Sequence, residues 1–421
     1  MKEKITGFFN RVSPWFDKMG NNPYLQTISG AMMSTLGPVF IGSISVLLVV
    51  LMNMVPALQG LTQITLILSK VNTVTLGSLA IYIAILMAYH LVRKLDRDED
   101  PISAAVIALL SFLIITPIGQ MADKTSAIPT TWLGAQGVFS AMIVGLISAR
   151  LYLAIKRKGW TIKMPAGVPP MVTRMFEALI PTILIGILFI IVDLLFSMTS
   201  FGSMHQFVYT IIQEPLKGIG GSLGAMIILS LLQQILWFFG IHGTNVILPL
   251  VTPLWMAMDV ENMNAIQAGQ VPPNILGLAF FNIITFSGMA LGLVLLMLRS
   301  KSKQYREVGK ISIIPALFGI TEPAIFGTPL VLNFDLAFPF ITNNTIALTL
   351  AYFLTKIGLV ARFTGVQAIF GLPVGIHAAV QGALSIILLQ LFIQFILSPI
   401  LWYPWFKRLD LKTYKAEREA E

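Results

Sequence analysis

Residues 317–330 read Leu-Phe-Gly-Ile-Thr-Glu-Pro-Ala-Ile-Phe-Gly-Thr-Pro-Leu, an apolar stretch interrupted by a carboxylate, two prolines and two glycines. Its acid, Glu322, has no basic neighbour in the sequence, because no Lys or Arg occurs between Lys310 and Lys356. A carboxylate at the centre of a membrane helix costs about 2.5–3.5 kcal/mol, so we expect Glu322 to face a cavity or a partner. The alternative is a carboxylate at the membrane surface or one paired with a distant lysine. Pro323 disfavours a continuous helix, and the stretch predicts a re-entrant hairpin tip.

The composition of the whole chain indicates a membrane protein. Of its 421 residues, 56% are hydrophobic and 11% are charged, whereas an average soluble domain has about 25% charged residues. A soluble fold of this size could not cover its surface, which excludes a cytosolic enzyme, a disordered chain and a secreted disulfide scaffold. Because the sequence contains no cysteine, disulfides, thiolate metal sites and cysteine nucleophiles are also excluded.

Ten apolar segments are candidates for membrane crossings, each of which needs about 20 residues. They are 28–52, 73–92, 102–118, 132–155, 176–199, 221–240, 243–260, 274–298, 341–360 and 378–405. The amphipathic opening before them is too long and polar for a cleaved signal peptide, so we expect residues 1–27 to lie on the cytoplasmic surface. The segment 243–260 contains Pro249 and Pro253 and is expected to cross as a bent helix. Residues 200–220 are expected to form a short interfacial helix.

The basic residues give the expected orientation. Threaded alternately from an inside N-terminus, the inside segments hold 23 of the 28 Lys and Arg residues. Cytoplasmic loops carry such an excess, so we expect both termini in the cytoplasm. The excess of basic residues in the cytoplasmic segments then explains the net charge of +9, and no nucleic-acid partner is indicated. The sequence predicts an all-α integral membrane protein with about ten transmembrane helices and a re-entrant hairpin region.

The two halves of the chain differ in regularity. The first half is residues 1–175, or 1–200 if the fifth crossing is included. Its helices are smooth and aliphatic, and we expect them to form a scaffold or dimer interface. Residues 201–421 carry glycines and prolines at membrane depth. Irregular backbone inside a bilayer needs protein or water to supply its hydrogen bonds, and such broken segments mark transporter binding sites. We therefore expect the second half to be the substrate-binding transport domain.

A second motif, Trp237-Phe-Phe-Gly-Ile-His-Gly-Thr-Asn245, places a histidine between glycines at the end of an apolar helix. Neutral imidazole donates one hydrogen bond and accepts one, which suits a hydroxyl ligand. The alternative for His242 is a helix cap that bonds a loose carbonyl group. An aromatic platform with amides also suits a sugar ring. The candidates for that role are Trp237, Asn245, Asn282 and Gln136, although such residues also occur as an aromatic belt or as interhelical bonds.

Other chemistry is less well supported by the sequence. Asp193 lies within the fifth crossing and is a candidate ion-coupling carboxylate. His90 and His205 lie beside polar segments and are expected to be interfacial. No Gly-rich phosphate loop, metal-ligand spacing or nucleophile elbow occurs in the sequence, so no cofactor or metal is expected.

The two motifs resemble the permease component IIC of bacterial phosphoenolpyruvate-dependent sugar phosphotransferase systems, most closely its lactose/cellobiose/diacetylchitobiose branch. The resemblance is carried by Trp237-Phe-Phe-Gly-Ile-His-Gly243 and by Gly319-Ile-Thr-Glu-Pro-Ala-Ile-Phe-Gly-Thr-Pro-Leu-Val-Leu-Asn333. Trp132–Phe139 and Pro272–Asn282 support it, and the four stretches lie in order across almost the whole chain. It implies a ten-helix homodimer in the bacterial cell membrane, with the first five helices at the interface.

The resemblance also implies a site and a reaction. Glu322 and His242 would flank the 6-hydroxyl of the sugar, with Trp237, Gln136 and Asn282 as further contacts. Where the branch usually carries a tryptophan platform, this chain offers Phe370 or Leu372.

The function expected from this resemblance is uptake of a disaccharide for phosphorylation by a separate IIB protein, whose cysteine carries the phosphoryl group. Glu322 would accept the hydroxyl proton. The alternatives are a cation-coupled secondary sugar transporter, in which Asp193 or Glu322 binds the ion, and a membrane scaffold or sensor that transports nothing.

Overall fold

The computed structural model describes residues 21–54, 60–121, 124–165, 167–240, 242–328, 330–368 and 371–420. Within these ranges helices predominate, and the strands are one pair, in which Gly119–Gln120 (β1) runs antiparallel to Ser126–Ala127 (β2). Seven of the described helices are long and apolar enough to cross a membrane, or eight if one bent pair counts as a span. The prediction of an all-α membrane protein is confirmed. The count of ten crossings and the cytoplasmic position of the termini stay predictions.

Seven α-helices lie in the described part of the first half. They are α1 (Pro23–Ser34), α2 (Leu36–Met54), α3 (Thr62–Val74), α4 (Leu79–Leu95), α5 (Pro101–Ile114), α6 (Val138–Arg157) and α7 (Pro170–Ser197). Helix α4 packs against α1, α5 and α6. Gly145 lets α6 approach closely, because a Cβ there would lie only 2.8 Å from the carbonyl oxygen of Ala84. Small residues at such crossings are typical of membrane helices, which gain stability from close packing.

The second half is divided into shorter pieces. Its helices are α8 (Met204–Val208), α9 (Glu214–Gly220), α10 (Leu223–Phe238), α11 (Gly243–Gln267), α12 (Leu278–Ile284), α13 (Leu291–Met297), α14 (Lys303–Leu317), α15 (Glu322–Gly327), α16 (Ala337–Lys356), α17 (Ile376–Ala379), α18 (Leu384–Phe392) and α19 (Ser398–Ala420). A π-helical stretch, Tyr209–Gln213, joins α8 to α9, so the expected helix in 200–220 is present. Helix α10 then leaves this segment at an angle of 72°.

Helix α11 begins where the 243–260 segment begins, but it continues to Gln267 and includes Pro249 and Pro253. At 1.5 Å per residue its 25 residues extend roughly 37 Å, which is longer than the hydrocarbon core of about 30 Å. It packs against α1 and α2 of the first half and against α10 and α12 of the second. The helix therefore joins the two halves, and a boundary near residue 200 stays a prediction.

Candidate functional site

The turn between α10 and α11 holds an aromatic ring against an imidazole. The rings of Trp237 and His242 lie 4.2 Å apart between centroids at an angle of 46°. Trp237 Nε1 donates a hydrogen bond to Thr244 Oγ1 at 3.2 Å, which fixes the indole against the start of α11. Gly240 turns the chain with φ of +83°, a conformation that favours glycine. Trp237 is half-buried and His242 is exposed, so the pair has one side available to a ligand.

The turn after α10 contacts the chain that follows α15. The amide of Leu332 donates to the carbonyl oxygen of Phe238 at 2.8 Å. The rings of Phe238 and Phe334 meet edge to face with centroids 5.3 Å apart. A Cβ at Gly240 would lie 3.4 Å from Val331 Cγ1, so the side chain of Val331 packs against the turn. The structure thus brings together the histidine and glutamate motifs, which are about 80 residues apart in sequence.

The glutamate motif is a helix, a break and a short helix. Helix α14 ends at Leu317, Gly319 adopts φ of +85°, and α15 begins at Glu322 with Pro323 in its first turn. Six residues of helix extend about 9 Å, so α15 is far too short to cross a bilayer. This agrees with the re-entrant region expected from the sequence. The backbone of Glu322 is therefore placed at the first position of α15, whereas its side chain lies outside the described part of the structure.

A third segment supports the break before α15. The amide of Val374 donates to Leu317 O at 2.9 Å, at the end of α14. The ring of Phe286 packs on Gly319, where an added Cβ would lie 3.3 Å from it. The same ring lies 4.9 Å from the imidazole of His377 between centroids. These contacts connect the turn before Glu322 to the chain between α16 and α18.

A buried amide in α18 holds this segment in place. Gln390 accepts a hydrogen bond from the amide of Gly375 at 2.8 Å and donates one to Ile283 O at 3.1 Å. Its Nε2 also lies 3.3 Å from Nδ1 of His377. One neutral side chain thus satisfies irregular backbone from two segments, as membrane-depth loops require.

A buried carboxylate supports the neighbouring loops. Asp259 of α11 is 1% exposed, and its Oδ2 accepts the amide of Ala279 at 2.8 Å and Gln367 Nε2 at 2.7 Å. Gly277 and Gly365 pack directly on Asp259, and a Cβ at either position would overlap it. Asp259 therefore holds the start of α12 and the loop after α16 on α11.

The other predicted site residues have separate positions. Asn282 is exposed on α12, next to the Ile283 carbonyl that Gln390 bonds. Gln136 is half-buried in the short helix Ala135–Gly137, which packs against α11. Within the described ranges, no hydrogen bond joins Gln136 to Trp237 or His242. The side chain of Asn245 and all of Phe370 lie outside the described residues.

Asp193, the carboxylate considered for ion coupling, is half-buried in α7. Helix α7 packs chiefly against α5, α6 and α8.

A family model described as the phosphotransferase system EIIC matches residues 29–344, which include both motifs. The chain belongs to this EIIC family. As an EIIC protein it is an integral membrane permease component, which confirms the resemblance inferred from the two motifs.

The EIIC assignment is supported along the whole chain. The oligo-beta-mannoside-specific EIIC component of Bacillus subtilis is 32% identical, covering 100% of this chain and 96% of the relative. The cellobiose-specific EIIC component of Geobacillus stearothermophilus is also 32% identical, covering 98% of this chain and 95% of that one. A crystal structure of the transporter ChbC, the IIC component from the N,N'-diacetylchitobiose-specific phosphotransferase system, matches with a TM-score of 0.89 and 32% identity. That match covers 98% of this chain and 99% of ChbC.

Sequence reasoning missed several residues that support the candidate site. The sequence reasoning gave Thr244 no role, yet its hydroxyl group accepts hydrogen bonds from both Trp237 and Gln233. Asp259 and Gln390 were not singled out. A signal existed for Asp259, because a carboxylate ten residues after Pro249 in an apolar helix needs a partner.

Proposed function

We propose that this EIIC permease binds a β-linked disaccharide and presents its 6-hydroxyl to a phosphorylated IIB protein. The observation that carries the proposal is the contact between the two motifs, in which the Leu332 amide bonds Phe238 O at 2.8 Å. It connects the turn that holds His242 to the segment that follows Glu322. The oligo-mannosides and cellobiose of the EIIC relatives, and the diacetylchitobiose of ChbC, are all β-linked.

The paired rings of Trp237 and His242 suit a sugar. The apolar face of a pyranose ring packs on an aromatic surface, while its hydroxyl groups need hydrogen-bonding partners. Trp237 supplies the aromatic surface, and its N–H is already used by Thr244. His242 supplies a nitrogen that donates or accepts. Asn282 and Gln136 are proposed as further polar contacts, and Phe370 as a second aromatic surface.

The proposed reaction transfers a phosphoryl group from a cysteine of IIB to the sugar. The 6-hydroxyl oxygen attacks phosphorus, an O–P bond forms, the S–P bond breaks, and the cysteine leaves as a thiolate. The carboxylate of Glu322 takes the hydroxyl proton, and His242 orients the same oxygen. The product carries a phosphate group that a nearby carboxylate repels, and this repulsion favours release.

Transport needs the loaded site to change sides. We propose that the second half, 201–421, moves as a body against a dimer of first halves. Helix α7 offers an apolar surface for such a dimer, because only 22% of its apolar window is buried within the chain. Lipid or a second copy therefore has to cover the rest.

The test compares Glu322→Gln with Glu307→Gln in proteoliposomes supplied with IIB and phosphoenolpyruvate. Glu307 is an exposed residue of α14 whose carboxylate pairs with Lys310, so its replacement controls for the loss of a negative charge. Losing a general base lowers the rate about 10²–10⁴-fold. We expect Glu322→Gln to bind cellobiose in calorimetry with little change and to phosphorylate it at least a hundredfold more slowly. Phosphorylation at the wild-type rate would refute the role of Glu322.

A panel of disaccharides tests the substrate class separately. We expect cellobiose and other β-linked disaccharides to raise the melting temperature of the wild-type protein, and maltose, which is α-linked, to have no effect. Stabilisation by maltose alone would refute the proposed linkage preference.

A further inference from the structure

A cavity of about 430 Å³ lies at the C-terminal end of α4, away from the candidate sugar site. It is lined by Tyr89, His90, Arg93, Lys94 and Arg97. Tyr89, His90, Arg93 and Lys94 follow the helical spacing of three and four, so they form one face of the last turns of α4. Arg97 lies just beyond the helix, which ends at Leu95. Arg93, Lys94 and Arg97 are exposed. The cavity therefore has three basic side chains and two hydrogen-bonding rings around it.

Three of the four acids in the loop after α4 pair with cations on the other side of the loop, and the fourth, Asp98, is exposed. Asp96 pairs with Arg157, and Asp100 pairs with Arg174. Glu99 pairs with Lys156 at 2.8 Å. In the part of the chain that the structure describes, no carboxylate forms an ion pair with the three cavity cations. The three paired acids are thus held toward α6 and α7, while the three cations line the cavity.

Helix α1 contacts the same end of α4. Ser34 Oγ lies 3.0 Å from Nε2 of His90, and Lys94 Nζ donates to Gln26 Oε1 at 2.8 Å. A Cβ at Gly30 would lie 3.0 Å from the His90 ring, so a glycine allows α1 to approach this closely. Arg93 bonds the hydroxyl group of Tyr89 at 3.1 Å. Two of the basic side chains are thereby held in position by neutral groups that leave their charge uncompensated.

We propose that this cavity binds the phosphate headgroup of an anionic phospholipid. Tyr89 and His90 belong to the apolar span that ends at Leu95, whereas Arg97 lies beyond it. The cavity therefore extends across the end of a membrane helix, at the level where headgroups lie. Basic pockets at the ends of membrane helices recognise such headgroups through charge.

The N-terminal segment of the chain is a poorer occupant on grounds of charge. Residues 1–20 carry four basic residues, Lys2, Lys4, Arg11 and Lys18, against two acids, Glu3 and Asp17. A segment with a net charge of +2 adds to the positive potential of the cavity instead of neutralising it. An anionic lipid neutralises it.

The test titrates delipidated full-length protein in neutral detergent with phosphatidylglycerol and with phosphatidylcholine, and counts bound lipid by native mass spectrometry. The variant is R93Q/K94Q/R97Q. The matched control is K158Q/K301Q/K407Q, which removes three exposed cations that do not line the cavity. Each basic residue near an anionic lipid raises affinity about fivefold, so the cavity variant is expected to bind phosphatidylglycerol about a hundredfold more weakly. Wild type and control variant are expected to bind it equally, and phosphatidylcholine is expected to bind weakly to all three proteins.

Each other outcome overturns the proposal. Equal loss in the control variant would mean that net charge alone attracts the lipid. Unchanged binding in the cavity variant would place the lipid elsewhere. If inorganic phosphate displaced phosphatidylglycerol at equal concentration, the ligand would be a free phosphate instead of a lipid. The conservative variant R93K/R97K keeps the charges and is expected to retain binding, which separates loss of charge from loss of fold.

Discussion

The substitution Gly243→Ala tests whether the spacing of α10 and α11 sets the geometry of the site. Gly243 is the first residue of α11, and a Cβ added to it would overlap the carbonyl oxygen of Gln233 and lie 2.9 Å from the carbonyl carbon. These are backbone atoms, so a side chain cannot rotate to make room. Carbon atoms pack best at about 3.5–4.0 Å. The start of α11 must therefore move away from α10 by about 0.6 Å or more.

This movement separates the ring of Trp237 from the ring of His242. His242 precedes Gly243 directly, whereas Trp237 belongs to α10, and their ring centroids are 4.2 Å apart. A displacement of about 1 Å at a reacting centre can lower a rate about a hundredfold. We expect the kcat/KM of IIB-dependent sugar phosphorylation to fall by ten- to a hundredfold, with a stability cost of about 1–3 kcal/mol from overpacking.

The assay measures phosphorylated cellobiose formed in proteoliposomes, together with the melting temperature of the purified protein. The matched control is Gly224→Ala in α10, where the nearest atom to the new Cβ is Ser222 Oγ at 4.0 Å. Alanine in this open helical position is expected to leave activity unchanged and to raise stability by about 1 kcal/mol or less. A Gly243→Ala protein with wild-type kcat/KM would refute the argument that this contact positions His242.

Three further predictions concern buried polar contacts. Asp259→Ala leaves two donors unpaired, at about 1–3 kcal/mol each, so we expect a markedly lower melting temperature in detergent. His205→Phe removes two hydrogen bonds worth about 0.5–1.5 kcal/mol each, so we expect a lower melting temperature but normal sugar phosphorylation in the cold. The Asn72 side chain donates to Gln267 across the two halves. Joining introduced cysteines at 72 and 267 with a short bismaleimide should stop vesicle uptake of labelled cellobiose but preserve binding measured by calorimetry.

The main features of the fold could be predicted from apolar segment lengths and from the positions of breakers. Glycine and proline residues predicted that helices would stop near residues 240 and 319, and Gly240 and Gly319 indeed adopt positive φ values. The physical reason is local, since proline restricts the backbone and glycine allows it positive φ values wherever they occur. The sequence does not reveal how the interrupted segments pack against each other in the fold. The bond from the Leu332 amide to Phe238 depends on how α14, α15 and α16 fold back.

His205 shows the limit of sequence reasoning most clearly. Its place in the segment 200–220 predicted an interfacial position, which stays a prediction, but nothing in the sequence indicated that its side chain is 0% exposed. Its two ring nitrogens lie 3.0 Å from Thr116 Oγ1 and 2.7 Å from Ser140 Oγ, and its ring stacks on Trp132. These partners are 65 or more residues away in sequence. Burial of a histidine costs little once both nitrogens are bonded, but only the tertiary structure supplies the bonds.

Neutral amides explain how the second half keeps irregular backbone inside a membrane. Residues 361–368 form no helix, yet Gln381 accepts the amides of Thr364 and Gly365 and donates to Val366 O. An amide side chain can replace both the donor and the acceptor of a missing helical turn, without the desolvation cost of a charge. Gln390 does the same for Gly375 and Ile283. Because these bonds join segments of the second half to each other, the loops around the site are held to the helices that would move with them. A binding site made of loops can in this way move as a rigid unit, with its backbone hydrogen bonds intact.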